Sequence, residues 1–213
     1  RPCQIKAIDA GLFENKNLLI CTPTASGKTL VAELCAIKGI VENKGKVVYV
    51  VPLRALASEK FNDFKKRYAE LGVKVALSIG DLDREDSYLA KYDLIVCTSE
   101  KLDSLMRRDV AWIKDVKLVI IDEIHLINDV KRGPTLEVLI TMLRRILKDL
   151  QIISLSATIG NPQELAKWLN AELVIDDWRP VKLYEGILHE NEIDFFDKKE
   201  NLRIENNDEG IID

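Results

Sequence analysis

The sequence predicts an α/β fold built on a mostly parallel central sheet with helices on both faces. Short apolar runs alternate along the chain with helix-patterned segments. Most of those runs are continuously apolar instead of alternating, as strands are when helices cover both sides of a sheet. A chain of 213 residues, 47% hydrophobic and 31% charged, is long enough for one substantial core and short for two. Alternation of this kind implies a layered sandwich with right-handed crossovers.

Taken in order, a helix over residues 2–11 leads to a strand over 17–21, and a helix over 28–38 precedes a strand over 46–51. A long helix is expected over 53–71, strands over 73–78 and 93–97, and a helix over 100–107. The strand at 117–122 precedes a helix at 134–147, in which Leu136, Leu139, Ile140, Leu143, Ile146 and Leu147 recur at three- and four-residue steps and draw one buried stripe. A strand at 151–156, a helix at 162–169 and a strand at 172–175 complete the series. The alternation stops at Asp176-Asp177-Trp178-Arg179-Pro180, and residues 181–188 could add one more strand to the sheet. The organisation expected is a domain over 1–188 followed by an acidic linker over 189–213.

Charge supports that division. The chain has 31 basic and 35 acidic residues, a net −4 that excludes a protein held to polyanions by bulk charge. From His189 to Asp213 nine acids face three bases, so this stretch carries −6 and the remainder +2. Cys3, Cys21, Cys35 and Cys97 have no C-x-x-C spacing, which encodes neither a zinc site nor a disulfide framework and fits a reducing, cytoplasmic setting. No apolar run approaches the roughly 18 residues of a spanning helix. The chain opens at Arg1 without a methionine, as a trimmed fragment would.

Two segments carry chemistry. After the apolar run ending at Cys21 come Thr22-Pro23-Thr24-Ala25-Ser26-Gly27-Lys28-Thr29 and then a helical pattern. Binding a triphosphate takes inward backbone N–H groups, a helix N-terminus, a lysine for the β/γ-phosphates and a hydroxyl for Mg²⁺. Thr24, Ala25, Ser26, Gly27, Lys28 and Thr29 supply these, although Thr22 stands where the first glycine of G-x-x-x-x-G-K-[ST] would be. An ordinary glycine-containing strand-to-helix turn would present the same tripeptide, Gly27-Lys28-Thr29. The second segment, Asp122-Glu123-Ile124-His125, follows the apolar run 117–121. At the carboxyl end of a parallel strand an aspartate can reach the metal and a neighbouring glutamate the attacking water. The same acids would also suit the start of a helix.

Together the segments resemble a known family. Thr22–Thr29, Asp122-Glu123-Ile124-His125 and Ser156-Ala157-Thr158 resemble motifs I, II and III of a DExH-box helicase of superfamily two. Arg1-Pro2-x-Gln4 resembles the adenine-reading Q motif, 51–56 motif Ia and 98–102 motif Ib. Residues 132–137, 159–162 and 178–181 are similar to the Ski-two-like branch, and most to its archaeal, HELQ-related DNA repair helicases.

The resemblance implies the N-terminal RecA-like ATPase domain of such a helicase, a three-layer sandwich using ATP and Mg²⁺. In it Gln4 would read adenine, Lys28 and Thr29 would hold phosphates and metal, Asp122 would complete the metal site and Glu123 would act as base. His125, Ser156 and Thr158 would couple the nucleotide state to nucleic-acid contact. Motors of this architecture grip one strand by its phosphates, and Arg54, Thr98, Ser99 and Lys101, at strand ends or helix starts, are the candidate contacts. The implied partners are single-stranded or forked DNA and a second RecA-like domain of the same parent chain, whose motifs do not appear after Thr158. The fragment alone is therefore expected to turn ATP over weakly. An RNA helicase of the same branch, or an ATP-gated clamp without unwinding, remains open on sequence alone.

Overall fold

The computed structural model describes residues 1–80, 87–182, 184–189 and 192–196. Seven strands form one sheet: β1 (Leu18–Cys21), β2 (Lys46–Val51), β3 (Val75–Ser78), β4 (Leu94–Thr98), β5 (Val116–Ile121), β6 (Gln151–Ser156) and β7 (Glu172–Ile175). Their order is β3-β4-β2-β5-β6-β1-β7, and every pairing is parallel.

Six α-helices cover it: α1 (Pro2–Asp9), α2 (Lys28–Val41), α3 (Arg54–Arg67), α4 (Ser99–Arg107), α5 (Gly133–Ile146) and α6 (Pro162–Leu169). One layer of core joins Ala7 of α1, Val31 and Cys35 of α2, and Ala57 and Phe64 of α3 to Leu18, Ile20, Val47, Tyr49 and Ile120. The other joins Leu102 and Leu105 of α4, Leu139 and Leu143 of α5, and Leu169 of α6 to Leu19, Val48, Val119 and Ile121. Successive strand residues thus point into different layers that are both dry, which is why the strands read as continuous apolar runs.

Some boundaries differ from those expected. The helix expected over 53–71 ends at Arg67, and a separate 3-10 turn, Ala69–Leu71, follows. Its Tyr68 leaves helical geometry (φ −110°, ψ 11°), and its hydroxyl donates to the buried carboxylate of Glu33. Ile146, expected on the buried stripe, is the last residue of α5 and is 47% exposed, whereas Leu136, Leu139, Ile140, Leu143 and Leu147 are buried. Short 3-10 segments at Ser87–Lys91, Ala111–Asp115 and Ile124–Asn128 carry no periodicity that the sequence reveals.

Contacts divide the chain into two compact units, Arg1–Trp178 and Arg179–Asp213. The first ends where the strand-helix alternation stops. In the second, β8 (Glu185–His189) pairs antiparallel with β9 (Glu192–Phe196) as a separate two-stranded sheet. The strand offered by residues 181–188 is therefore present, but its partner is β9 and not the main sheet, and the hairpin straddles the boundary expected after residue 188. The acidic stretch from 197 onward lies outside the described residues. Among the described residues no helix is long and apolar enough to cross a membrane.

The first unit is tied end to end by one ion pair. Lys6 Nζ of α1 lies 2.9 Å from Asp176 Oδ2, and the Trp178 backbone N–H donates to Asp176 Oδ1 at 2.7 Å. The Lys6 ammonium, followed by that N–H, holds the Asp176 carboxyl below its ordinary value. A carboxyl depressed below its unfolded value of about 3.9 stabilises the fold above that pH and ceases to do so as pH falls through the folded value. Urea unfolding of Asp176→Asn should accordingly show a shallower acid dependence below about pH 4 than the parent; identical slopes would mean that the tie contributes nothing.

Candidate nucleotide and nucleic-acid site

The parallel order brings the singled-out segments to one edge. Read along the carboxyl ends, β4 leads into Thr98-Ser99, β2 into 51–54, β5 into Asp122-Glu123, β6 ends in Ser156, and β1 leads into the 22–29 loop. Backbone bonds extend the ladder beyond the strands: Thr22 N–H donates to Ser156 O at 3.2 Å and Asp122 N–H to Val50 O at 2.9 Å.

The 22–29 loop is closed by its own side chains. Thr22 Oγ1 and Ser26 Oγ are 2.7 Å apart and both residues are buried, so the threonine in place of glycine fastens the turn. Ala25 and Gly27 take left-handed conformations (φ 63° and 97°), and Gly27 caps α2. A β-carbon on Gly27 would fall 2.8 Å from Gln4 Nε2. Gln4 donates to Gly27 O at 3.4 Å and Arg1 Nη1 donates to Ala25 O at 2.6 Å, which docks α1 on the loop. Lys28 opens α2 and is 8% exposed, Thr29 follows half-buried, and Thr24 is exposed. Burial pushes the neighbouring Cys21 thiol up to about 11 despite the pull of Lys28, so no thiolate competes for that ammonium.

The acid pair is held from both sides. Asp122 Oδ2 accepts from the Tyr49 hydroxyl of β2 at 2.9 Å, and Oδ1 accepts from the Glu123 N–H at 3.1 Å. Glu123 sits in the left-handed region (φ 55°), a cost on the order of 1–2 kcal/mol for a non-glycine residue. His125 Nδ1 lies 3.3 Å from Glu123 Oε2, within ion-pair range but without hydrogen-bond geometry. Gly133 lets α5 close on the same turn, since a β-carbon there would meet Ile127 O at 2.1 Å. Ser156 is fully buried with an unpartnered hydroxyl, while Thr158 is exposed.

The donor set suits a phosphate-bound Mg²⁺. Such an ion keeps much of its shell as water and phosphate and takes only one or two protein oxygens; the Thr29 hydroxyl and the Asp122 carboxylate could supply hard oxygens of that kind. Among the described residues no three His, Cys, Asp or Glu converge into an all-protein cage. A cavity of about 300 Å³ lined by Leu12, Cys35, Val47 and Gln151 lies at the opposite, amino ends of the strands, away from the 22–29 loop and the acid pair.

The four expected nucleic-acid contacts separate. Arg54 is exposed at the first turn of α3. Lys101 is 1% exposed within the first turn of α4. The Thr98 hydroxyl accepts from Lys101 N at 3.4 Å and caps α4, and Ser99 is 6% exposed in a cleft that it shares with Asp122, Glu123 and Arg132. Sequence reasoning missed Tyr49. The only trace of it is one tyrosine in the valine-rich strand Lys46-Val47-Val48-Tyr49-Val50-Val51, where a buried hydroxyl needs a partner.

The sequence profile of the DEAD/DEAH box helicases matches residues 1–165. The chain is 54% identical over 216 residues to the ATP-dependent DNA helicase Hel308 of Methanocaldococcus jannaschii, covering 98% of this chain and 18% of that protein. It is 54% identical over 189 residues to that of Pyrococcus abyssi, covering 89% and 26%. The chain thus spans about a quarter or less of the length of these relatives. The crystal structure of the DUF1998 helicase MrfA bound to DNA superposes with a TM-score of 0.69 at 26% identity, over 82% of this chain and 27% of that one. The loop geometry generates its own test: Gly27→Ala forces a strained φ and displaces Gln4, and should weaken binding of a fluorescent ATP analogue about tenfold, or 1.4 kcal/mol, with unchanged affinity as the contrary outcome.

Proposed function

The chain belongs to the DEAD/DEAH box helicase family, and from that premise we propose that it is the first nucleotide-binding lobe of an ATP-dependent DNA helicase that moves along single-stranded or forked DNA in replication-fork repair. The observation that carries this reading is the convergence of Lys28, Asp122, Glu123 and Ser156 on one sheet edge, with the exposed Arg54 farther along it. On this reading residues 1–188 act as the lobe, 189–213 lead towards a second RecA-like lobe, and the protein works in the cytoplasm.

In the proposed cycle the backbone amides of 24–28 and the Lys28 ammonium bind the phosphates, and Gln4, resting on the loop, faces the base. Thr29 and Asp122 would hold Mg²⁺, which when bound neutralises phosphate charge. Glu123 orients the attacking water and accepts its proton. His125 beside Glu123, with Ser156 under the loop and Thr158 on the surface, relays the state of the phosphates towards the strand-gripping end at Arg54, Thr98 and Ser99. Acceleration on the order of 10³–10⁵ in such motors comes from an arginine of the opposing lobe, so this lobe alone is a slow ATPase.

Glu123→Gln in the longer protein that carries this lobe tests the proposal. ATP turnover should fall about 10²–10⁴-fold while nucleotide and DNA binding persist, and strand separation should stop with turnover. Unwinding that survives the substitution would sink the role given to Glu123.

A further inference from the structure

Tyr49 lies outside every motif described above, yet it makes the one side-chain hydrogen bond from another strand to Asp122 among the described residues. Its ring is 1% exposed and stands edge-on to Phe64 of α3, with centroids 5.2 Å apart and planes at 67°. Phe64 in turn lies 6.2 Å from the Tyr68 ring, whose hydroxyl donates to the buried Glu33 of α2. The tyrosine is therefore fixed from the helical layer and has little freedom to swing its hydroxyl elsewhere. Phenylalanine would fill the same space without bringing a polar atom into the core, so packing alone does not call for the hydroxyl.

A carboxylate rotates broadly about its terminal torsion unless its oxygens are held. Here one donor engages each oxygen of Asp122, Tyr49 on Oδ2 and the Glu123 N–H on Oδ1, and these two bonds set the plane of the carboxylate. A hydrogen bond to an ionised acceptor is stronger than one between neutral groups, and partners of this kind orient metal ligands in other sites.

We propose that Tyr49 is the positioning residue for Asp122, its hydroxyl presenting the free lone pairs of the carboxylate to a phosphate-bound divalent cation. The inference rests on the site reading above. It adds a structural consequence: through Phe64 the aim of the metal ligand is built on α3, the helix whose first turn carries Arg54.

The test is fluorescent-ADP binding to the 213-residue chain with Mg²⁺ and with EDTA, for the parent, Tyr49→Phe, Asp122→Asn and the double variant. Tyr49→Phe should bind within about twofold of the parent in EDTA but lose about tenfold of the enhancement that Mg²⁺ gives. Asp122→Asn should remove that enhancement, and adding Tyr49→Phe to it should cost nothing more, as for two groups acting as one. An unaltered Mg²⁺ enhancement in Tyr49→Phe would overturn the inference. So would equal losses with and without metal accompanied by a lower unfolding midpoint, since those mark a purely structural tyrosine. A parent with no Mg²⁺ enhancement and a silent Asp122→Asn would overturn the site reading first, and is recognisable before the tyrosine variant is compared.

Discussion

The site depends on the parallel backbone ladder at the carboxyl edge of the sheet. In a parallel sheet every strand ends on the same side, so loops far apart in sequence leave from adjacent points. Here Cys21 is level with Ser156, Ser154 with Ile121, and Val50 with Ile121, and the ladder then continues one bond further through Thr22 and Asp122. Those two additional bonds decide where the phosphate loop and the acid pair begin. A shift of one residue in β5 or β6 would turn every side chain to the other layer, against neighbours shaped for a different set, and would move Asp122 or Ser156 out of line with the loop.

That rigid frame carries local costs where the proposed chemistry lies. Ala25 and Glu123 are held in the left-handed region without being glycine, and the hydroxyls of Ser154 and Ser156 and the Nδ1 of His125 are buried without hydrogen bonds. Each such feature disfavours the fold by on the order of 1–3 kcal/mol, and they gather around the loop, the acid pair and the strand between them. Elsewhere Asp103 Oδ1 and Trp112 Nε1 are also buried without hydrogen bonds, whereas Glu33 receives both Arg67 and Tyr68, and the Gln151 amide donates to Leu12 O and Lys16 O. Three of the five orphaned atoms among the described residues, Ser154 Oγ, Ser156 Oγ and His125 Nδ1, lie on β6 and the acid turn, by the edge that also carries the strained Ala25 and Glu123.

Most of the fold was legible because its signals are local. All seven strands of the main sheet and all six helices fall where apolar runs and helical periodicity put them, since strands buried on both faces leave a continuous apolar record. The loop, Asp122 and Glu123 were legible from residue type and strand context. What escaped depends on non-local contact. Nothing near Tyr49 in sequence announces a carboxylate on the next strand, and nothing near Lys101 announces that helix packing buries a lysine at an exposed-looking helix start. The hairpin partner of 185–189 was hidden for a further reason, since β9 lies within a stretch read as an acidic linker.

The proposed coupling of phosphate hydrolysis to a DNA strand at this edge has a direct readout. That readout is the ATP turnover of the longer protein titrated with single-stranded DNA and with RNA of matched sequence. Phosphate-gripping contacts do not by themselves tell the two apart, because the distinction rests on the 2′-hydroxyl. Turnover should rise and saturate with DNA; stimulation by RNA alone, or indifference to both, would rule the coupling to DNA out.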